Sequence, residues 1–149
     1  MAKRRRLTTI LVAAAFLLLG YTAGAQIAEK AGEKFKARLT PVPMDLTMAS
    51  TVAGSGSLTA TLTGSKLSIA GTFEGLRSRA TAARLHRAPK GLRGPAVVDL
   101  TVTKATSGAV SGSLDPTSAQ IEDLKNGRLY VQIYSEGAPD GNLRGWLLR

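Results

Sequence analysis

The residues best suited to chemistry lie in one stretch of the chain, Thr81–Pro95, with the sequence TAARLHRAPKGLRGP. It holds His86, the only histidine of the chain. Cationic side chains surround this histidine: Arg84, Arg87, Lys90 and Arg93. No carboxylate occurs in the sequence between Arg77 and Val98. The residue types in this stretch allow a metal site, an anion-binding surface or a solvated loop.

A metal site needs more ligands than this stretch offers. Zinc and copper take about three or four nitrogen, sulfur or oxygen ligands from a protein. The chain has one imidazole and no cysteine, and the cations beside His86 would repel a metal ion. No G-x-S-x-G motif is present for nucleophilic catalysis. We therefore predict no catalytic residues, no metal and no cofactor.

The remaining reading is a basic patch that binds a partner, consisting of Arg84, His86, Arg87, Lys90 and Arg93. The formal net charge is +10, and a local excess of positive charge favours an anionic partner. A solvated strand face is the plain alternative. The aromatic residues that accompany nucleic-acid binding are missing from the stretch. We expect an acidic protein surface or anionic lipid as partner, and neither nucleic acid nor a small-molecule substrate.

Residues 1–25 have the pattern of an export or anchoring segment. Lys3–Arg6 precede an uncharged run from Leu7 to Ala25, which ends in a small-residue cleavage motif at 23–25. The same run approaches the length that spans a bilayer as a helix. The segment is thus either a signal peptide or an uncleaved transmembrane anchor. The apolar residues of that predicted helix are Ile10, Leu11, Val12, Phe16, Leu17, Leu18 and Leu19.

Either reading of residues 1–25 places the rest of the chain on the periplasmic or extracellular side of a membrane. If the segment is uncleaved, the protein is membrane-associated. Residues 26–34 are interpreted as a charged connector, and residues 35–149 as one folded domain. A basic surface on that domain would then lie close to a membrane or to membrane proteins.

Short alternating segments separated by turn residues predict that the domain is mainly β. Residues 55–74 are interpreted as a hairpin that turns at Gly64-Ser65. One short helix is predicted in DPTSAQIEDLKNG, with Asp115 as N-cap and Gly127 just beyond its end. We predict an antiparallel β-sandwich, superoxide-dismutase-like or immunoglobulin-like. The apolar helix of residues 1–25 would precede it.

The C-terminal segment adds a second candidate site. SEGAPDGN is interpreted as a loop, and LRGWLLR as the closing strand. In a regular strand Trp146, the only tryptophan of the chain, shares a face with Arg144. These two residues are candidate interface anchors, and burial of Trp146 in the core is the alternative.

Three segments in this order resemble the chordin-type (CHRD) domain family, in its bacterial exported type: FKARLTPVP, GLRSRATAARLHRAPKGLRGPAVVDL and LKNGRLYVQIYSEGAPDGNLRGWL. The resemblance covers Phe35 to Leu148. It implies an extracytoplasmic β-sandwich similar to copper–zinc superoxide dismutase, with a binding or scaffolding role. Where the family tends to have His-x-His, this chain has Arg84-Leu85-His86. Where the family tends to have a later histidine, it has Tyr134.

Together these features predict a non-enzymatic, extracytoplasmic binding or scaffolding domain. One hypothesis makes it an accessory subunit that caps the periplasmic face of a respiratory or photosynthetic membrane complex, with protein subunits as partners. Two alternatives stay open. The first is a metal-binding, dismutase-like protein, and the second is a free secreted protein that binds anionic envelope polymers.

Overall fold

The computed structural model describes residues 31–149. The elements in chain order are β1 (Glu33–Pro41), β2 (Ser55–Thr63), β3 (Lys66–Glu74), β4 (Ala80–Arg87), β5 (Ala96–Val102), β6 (Gly108–Leu114), α1 (Ser118–Lys125), β7 (Leu129–Ser135) and β8 (Ala138–Trp146). The predicted segment 1–25, with its anchor residues, and most of the connector 26–34 lie outside the described residues. Between residues 31 and 149, no helix has the length and apolar character needed to cross a membrane.

The alternation of apolar and polar residues produces the strands, as predicted. In β2 and β3, the side chains of Leu58, Leu67 and Ile69 are buried, while their neighbours along the chain are more exposed. The predicted hairpin joins these two strands. Its turn begins at Gly64, which has φ +59° and lies in the left-handed region that glycine adopts readily.

The predicted β-sandwich is wrong, because the strands close into an eight-stranded antiparallel barrel in the order β1-β2-β3-β6-β5-β4-β7-β8. Two strands make the closure. β1 pairs with β2 over residues 33–39, and its last residues, Thr40 and Pro41, pair with β8. β5 pairs with β4 first, and then Thr101 and Val102 pair with β6. Each of these two strands therefore pairs with a neighbour on both sides, so the sheet has no free edge.

The predicted helix is present, but its N-cap was misplaced. The N-cap is Thr117, not Asp115. The Thr117 hydroxyl accepts a hydrogen bond from the backbone N–H of Gln120 at 3.2 Å, and the Gln120 side chain accepts one from the backbone N–H of Thr117 at 2.9 Å. This reciprocal capping box satisfies two donors that a cap at Asp115 would leave open. Gly127 lies just beyond the helix with φ +67°, as predicted.

One hydrophobic core fills the barrel, and Leu124 of α1 belongs to it. A second, smaller cluster of Val42, Val52 and Ala138, with Met48 packed against it, forms where the segment after β1 meets the start of β8. The Val42 N–H donates to the carbonyl of Asn142 in β8 at 3.0 Å. We call residues 42–52 the covering segment and residues 88–95, which follow β4, the covering loop.

Candidate functional site

The polar side chains of three neighbouring strands meet on the outside of the barrel. β7 lies between β4 and β8, and its register aligns two rows across the three strands. One row is His86, Tyr130 and Trp146, and the other is Arg84, Gln132 and Arg144. With Tyr134, these residues form what we call the outer cluster. The alternation in RLYVQIY produces it, because Leu129, Val131 and Ile133 face the core and the residues between them face outward.

His86 has both ring nitrogens occupied. Its Nδ1 lies 2.9 Å from the carbonyl oxygen of Gly94, and its Nε2 lies 2.8 Å from the hydroxyl of Tyr134. A carbonyl can only accept, so Nδ1 carries the proton and Nε2 accepts from Tyr134. The ring also stacks on Tyr130, with centroids 4.9 Å apart and planes 9° apart.

The groups around His86 favour its neutral form. Burial lowers the pKa of His86 below its usual 6.5, and the positive charges of Arg84, Arg144 and Arg93 lower it further, against an opposing hydrogen bond to Gly94. A neutral imidazole with one donor and one acceptor matches the two partners that it has. His86 therefore serves here as a hydrogen-bonded part of the outer cluster.

The three positions at which the family tends to have histidine, Arg84, His86 and Tyr134, come together in space. The Tyr134 hydroxyl bonds to His86, and the guanidinium carbon of Arg84 lies 5.2 Å from the centroid of the Tyr134 ring. Only one of the three is an imidazole. In the part of the chain that the structure describes, no group of three His, Asp or Glu side chains could hold a metal ion. The donor set at these positions suits hydrogen bonding, not metal coordination.

Arg144 is the most unusual member of the outer cluster. Its side chain is buried, and the residue is 7% exposed. Its Nε donates to Oε1 of Gln132 at 2.8 Å, and its guanidinium carbon lies 5.3 Å from the Tyr130 ring centroid and 5.9 Å from that of Trp146. Burial lowers the pKa of Arg144, yet an arginine in a protein stays charged.

This charge has no carboxylate partner in the described part of the chain. The ion pairs found among residues 31–149 are Arg84–Asp99, Arg87–Asp123, Lys125–Glu33 and Arg149–Glu33. Buried charges are normally paired, because removal from water costs several kcal/mol per ion. Arg144 instead relies on Gln132 and two aromatic rings, so its cationic edge is available to an anion.

Trp146 lies on the outside of the barrel beside Arg144. Its ring centroid is 4.9 Å from that of Tyr130, and its indole N–H donates to the carbonyl of Ala88 at 3.1 Å. The indole is half-buried, so it is partly accessible from solvent. Trp146 thus connects the outer cluster to the covering loop.

The covering loop is fixed at Gly94. The Gly94 N–H donates to the hydroxyl of Tyr130 at 3.0 Å, and that hydroxyl also lies 3.3 Å from the Gly94 carbonyl. A Cβ at position 94 would lie 1.9 Å from the carbonyl oxygen of Arg87. Only glycine permits this close approach, which brings the loop carbonyl within reach of His86.

The predicted basic patch separates into different environments. Arg84 pairs with Asp99 of β5 at 2.8 Å, and Arg87 pairs with the buried Asp123 of α1 at 2.5 Å. Arg93 donates to the backbone carbonyl of Asp140 at 3.1 Å. Lys90 is exposed on the covering loop. The stretch without carboxylates in sequence thus meets carboxylates in space, and only Arg84 and His86 of the patch belong to the outer cluster.

Sequence reasoning identified Arg84, His86, Arg144 and Trp146 as candidate site residues, noted Tyr134 only as a departure from the family pattern, and missed two members of the cluster. Tyr130 and Gln132 occupy the outward positions of β7, between the apolar residues that mark its core face. Their spacing by two from Tyr134 was the available signal. It places a tyrosine, a glutamine and a tyrosine on one strand face, which is an unusual set for a merely solvated surface.

An eight-stranded antiparallel barrel with one short helix and a polar cluster on the outside is a mainly β domain with a candidate surface site. The chain belongs to the CHRD domain family, whose model matches residues 35–147. This match confirms the resemblance to the CHRD domain family and indicates a non-enzymatic binding domain, whereas the bacterial exported type stays a prediction. The chain has no significant match among curated proteins or among solved structures.

Proposed function

We propose that this protein is an extracytoplasmic binding domain without enzymatic activity, and that it docks a protein partner through the covering segment, the covering loop and the half-buried Trp146, on the outer side of β4, β7 and β8. In the fuller form of the proposal, it is an accessory subunit of a membrane assembly. Membership of the CHRD domain family supports the binding role. The export-like pattern of residues 1–25 supports the location.

The observation that carries the proposal is the unpaired charge of Arg144 beside a half-buried tryptophan. Arginine and tryptophan are the residues most enriched among those that dominate interface energies. Exposed apolar side chains occur on the two segments that flank this face: Met44, Leu46 and Leu92 are 47%, 96% and 59% exposed. Apolar and aromatic surface around an unpaired cation matches the composition of a protein interface.

Site-specific photo-crosslinking in the producing cells tests this proposal. A photoreactive residue at Leu92, on the covering loop, should give a discrete adduct in the membrane fraction. The same residue at Ser68, exposed on β3 at the opposite side of the barrel order, is the matched control and should give none. Equal labelling from both positions, or none from either, would contradict the proposal. The intact mass of the protein in that fraction reports whether residues 1–25 are retained.

Contact with anionic lipid is a second candidate. Its support is Leu92, which is exposed next to Arg93 and close in sequence to Lys90, because apolar tips flanked by cations suit a membrane surface. Flotation with phosphatidylglycerol vesicles tests it. Binding that falls steeply with salt and is lost with Leu92→Ser and Arg93→Gln would support lipid contact. Binding only to detergent-solubilised membrane proteins would exclude it.

A further inference from the structure

A groove of about 320 Å³ lies beside Arg144, between the covering segment and the covering loop. Val42, Pro43 and Met48 of the covering segment give it apolar surface, and Gly91 and Arg93 of the covering loop also line it. Arg144 lines the groove, and Asp140 lies at the point where β8 borders it. The groove therefore combines an apolar wall with two guanidinium groups.

One edge of the Arg144 guanidinium has no hydrogen-bond partner among the described residues. Its Nε donates to Gln132, and the rings of Tyr130 and Trp146, whose centroids are 4.9 Å apart, lie on the same side of it, 5.3 Å and 5.9 Å from the guanidinium carbon. The terminal Nη atoms have no hydrogen-bond acceptor among residues 31–149. A guanidinium held in this way offers two parallel N–H donors in a fixed plane, which is the geometry that a carboxylate accepts.

The charges in the groove favour a monoanion. Arg93 and Arg144 contribute two positive charges, and the exposed Asp140 contributes one negative charge. The net charge is thus about +1, which balances one carboxylate and not a doubly charged phosphate. Arg93 is held near the groove by its hydrogen bond to the Asp140 carbonyl at 3.1 Å, so it needs little reorganisation to contact the same anion.

The neighbourhood favours a peptide over a lipid surface. Asp45 lies between the exposed Met44 and Leu46. The hydrogen bond from the Thr47 hydroxyl holds the pKa of Asp45 below its usual range, and the N–H groups of Met48 and Thr47 act in the same direction. A fixed negative charge between two apolar tips opposes insertion into an anionic bilayer. The same tips can pack against apolar side chains of a partner protein.

We propose that this groove binds a single carboxylate group from an acidic peptide segment of a partner, with Arg144 as the bidentate ligand and Arg93 as the second cation. The apolar side chain next to the carboxylate packs on Val42, Pro43 and Met48. This inference rests on the proposed function for the source of the peptide. The chemistry of the groove is testable without the partner.

The test is a titration of the purified full-length protein with two short peptides, acetyl-Leu-Asp-Leu-amide and acetyl-Leu-Asn-Leu-amide. They differ only in carboxylate against carboxamide. Trp146, the only tryptophan of the chain, lies beside the guanidinium of Arg144 and reports occupancy by fluorescence. A saturable change with the aspartyl peptide is expected, and about tenfold weaker binding of the asparaginyl peptide. The Arg144 Nε–H signal in a ¹⁵N spectrum should shift in the same titration.

Three variants locate the site. Arg144→Gln removes the cation and should weaken binding of the aspartyl peptide about tenfold or more. Arg93 is exposed, so Arg93→Gln should leave the fold intact. It should weaken binding of the aspartyl peptide by a smaller factor than Arg144→Gln. Arg128→Gln is the matched control. It removes one positive charge, as Arg93→Gln does, from an exposed arginine that does not line the groove. It should bind like the parent protein.

Each result has a defined meaning. Selective, saturable binding of the aspartyl peptide that Arg144→Gln and Arg93→Gln weaken supports the groove. Equal responses to both peptides, or parent-like binding by both variants, overturn it. A response to inorganic phosphate or to phosphatidylglycerol vesicles without one to the aspartyl peptide also overturns it. Crosslinking from position 92 without any carboxylate response would leave the proposed function standing and remove this site alone.

Discussion

The two sides of this barrel use the same strand pattern for different purposes. On β2, β3 and β6, the outward positions carry small polar side chains that face water, including Ser57, Ser68, Thr72 and Ser111. On β4, β7 and β8, they carry His86, Tyr130, Gln132 and Arg144, and all four of these are buried. The difference shows that facing outward from a strand does not mean facing water.

The covering segment and the covering loop cause this difference. They lie over the outside of β4, β7 and β8, so six of the seven residues of β7 are buried, whereas β3 keeps its alternation except at Gly71. A polar group removed from water must find a partner. The hydrogen bonds of His86 and of Arg144 Nε satisfy this need in part. Among residues 31–149, the Nη atoms of Arg144 have no acceptor, and the buried Oδ1 of Asn142 on β8 has no hydrogen-bond partner.

A depression of about 850 Å³ lies over β1, β2 and β3, on the small-residue side, and it is larger than the groove beside Arg144. Hydroxyl groups and opposite charges line it, among them Arg38, Ser57, Thr72 and Glu74. Its charged residues, Lys36, Arg38 and Glu74, are all exposed, and its one aromatic residue, Phe73, is buried in the core. Its lining therefore has no buried charge without a partner, unlike the groove beside Arg144. Volume alone therefore does not identify a binding site, and the chemistry of the lining residues does.

The largest expected difference between the two sides comes from Tyr130. Its ring is 1% exposed and contacts His86, Trp146 and Arg144. Tyr130→Ala should lower the free energy of unfolding by about 3–5 kcal/mol, as for other buried aromatic residues. Ser68→Ala on the opposite side should stay within about 0.5 kcal/mol of the parent. Urea denaturation followed by circular dichroism measures both.

If Tyr130→Ala were as mild as Ser68→Ala, the outer cluster would not be a packed layer, and the comparison of the two sides would fail. Tyr130→Phe separates packing from hydrogen bonding. It keeps the ring and removes only the hydroxyl that contacts Gly94, so it should cost about 1 kcal/mol.

A smaller effect distinguishes two arginines of the basic stretch. Arg87 pairs with Asp123, whose side chain is 5% exposed, whereas Arg84 pairs with Asp99, whose side chain is 83% exposed. Arg87→Ala leaves a buried carboxylate without its cation and should destabilise the protein by about 1–3 kcal/mol, since Arg87 itself is half-exposed and partly screened. Arg84→Ala should leave the melting temperature nearly unchanged. Equal melting temperatures for the two variants would contradict the assigned pairs.

The strands, the hairpin and the helix were predictable, because they depend on local periodicity and turn residues. The closure into a barrel was not. It depends on Thr40, Pro41, Thr101 and Val102, which pair with a second neighbour at the ends of β1 and β5. Alternation looks the same in a sandwich and in a barrel, so no sequence pattern separates the two. Ala138–Asn142 were similarly predicted to lie in a loop, and they begin β8 because the turn before them spans only Glu136 and Gly137.

For the candidate site, sequence supplied the residue types but not the partners. His86 was identified as a residue of interest, and its neutral, doubly hydrogen-bonded state follows from Gly94 and Tyr134, which are 8 and 48 residues away. The open charge of Arg144 depends on which carboxylates lie within reach after folding. Contacts between segments that are distant in sequence determine both features, so local sequence patterns do not predict them.

The smallest effect is a pH dependence of stability that arises from His86, on the side of the barrel formed by β4, β7 and β8, which we call the covered side. Burial and the charges of Arg84, Arg144 and Arg93 hold the pKa of folded His86 below 6.5, the usual value that the unfolded chain keeps. Between these two pKa values the unfolded chain binds more protons than the folded chain. The stabilisation is complete above pH 6.5 and is lost as the pH falls towards and through the folded pKa. The melting temperature should therefore decrease between pH 7.5 and pH 5.

His86→Gln tests the origin of that decrease. A glutamine amide can donate to the Gly94 carbonyl and accept from Tyr134, as the neutral imidazole does, but it does not titrate. Since His86 is the only histidine of the chain, the variant should have a flatter profile over this range, and the carboxylates should act mainly below it. An unchanged slope in His86→Gln would mean that the covered side does not keep its histidine neutral, and that the two sides of the barrel respond to acid alike.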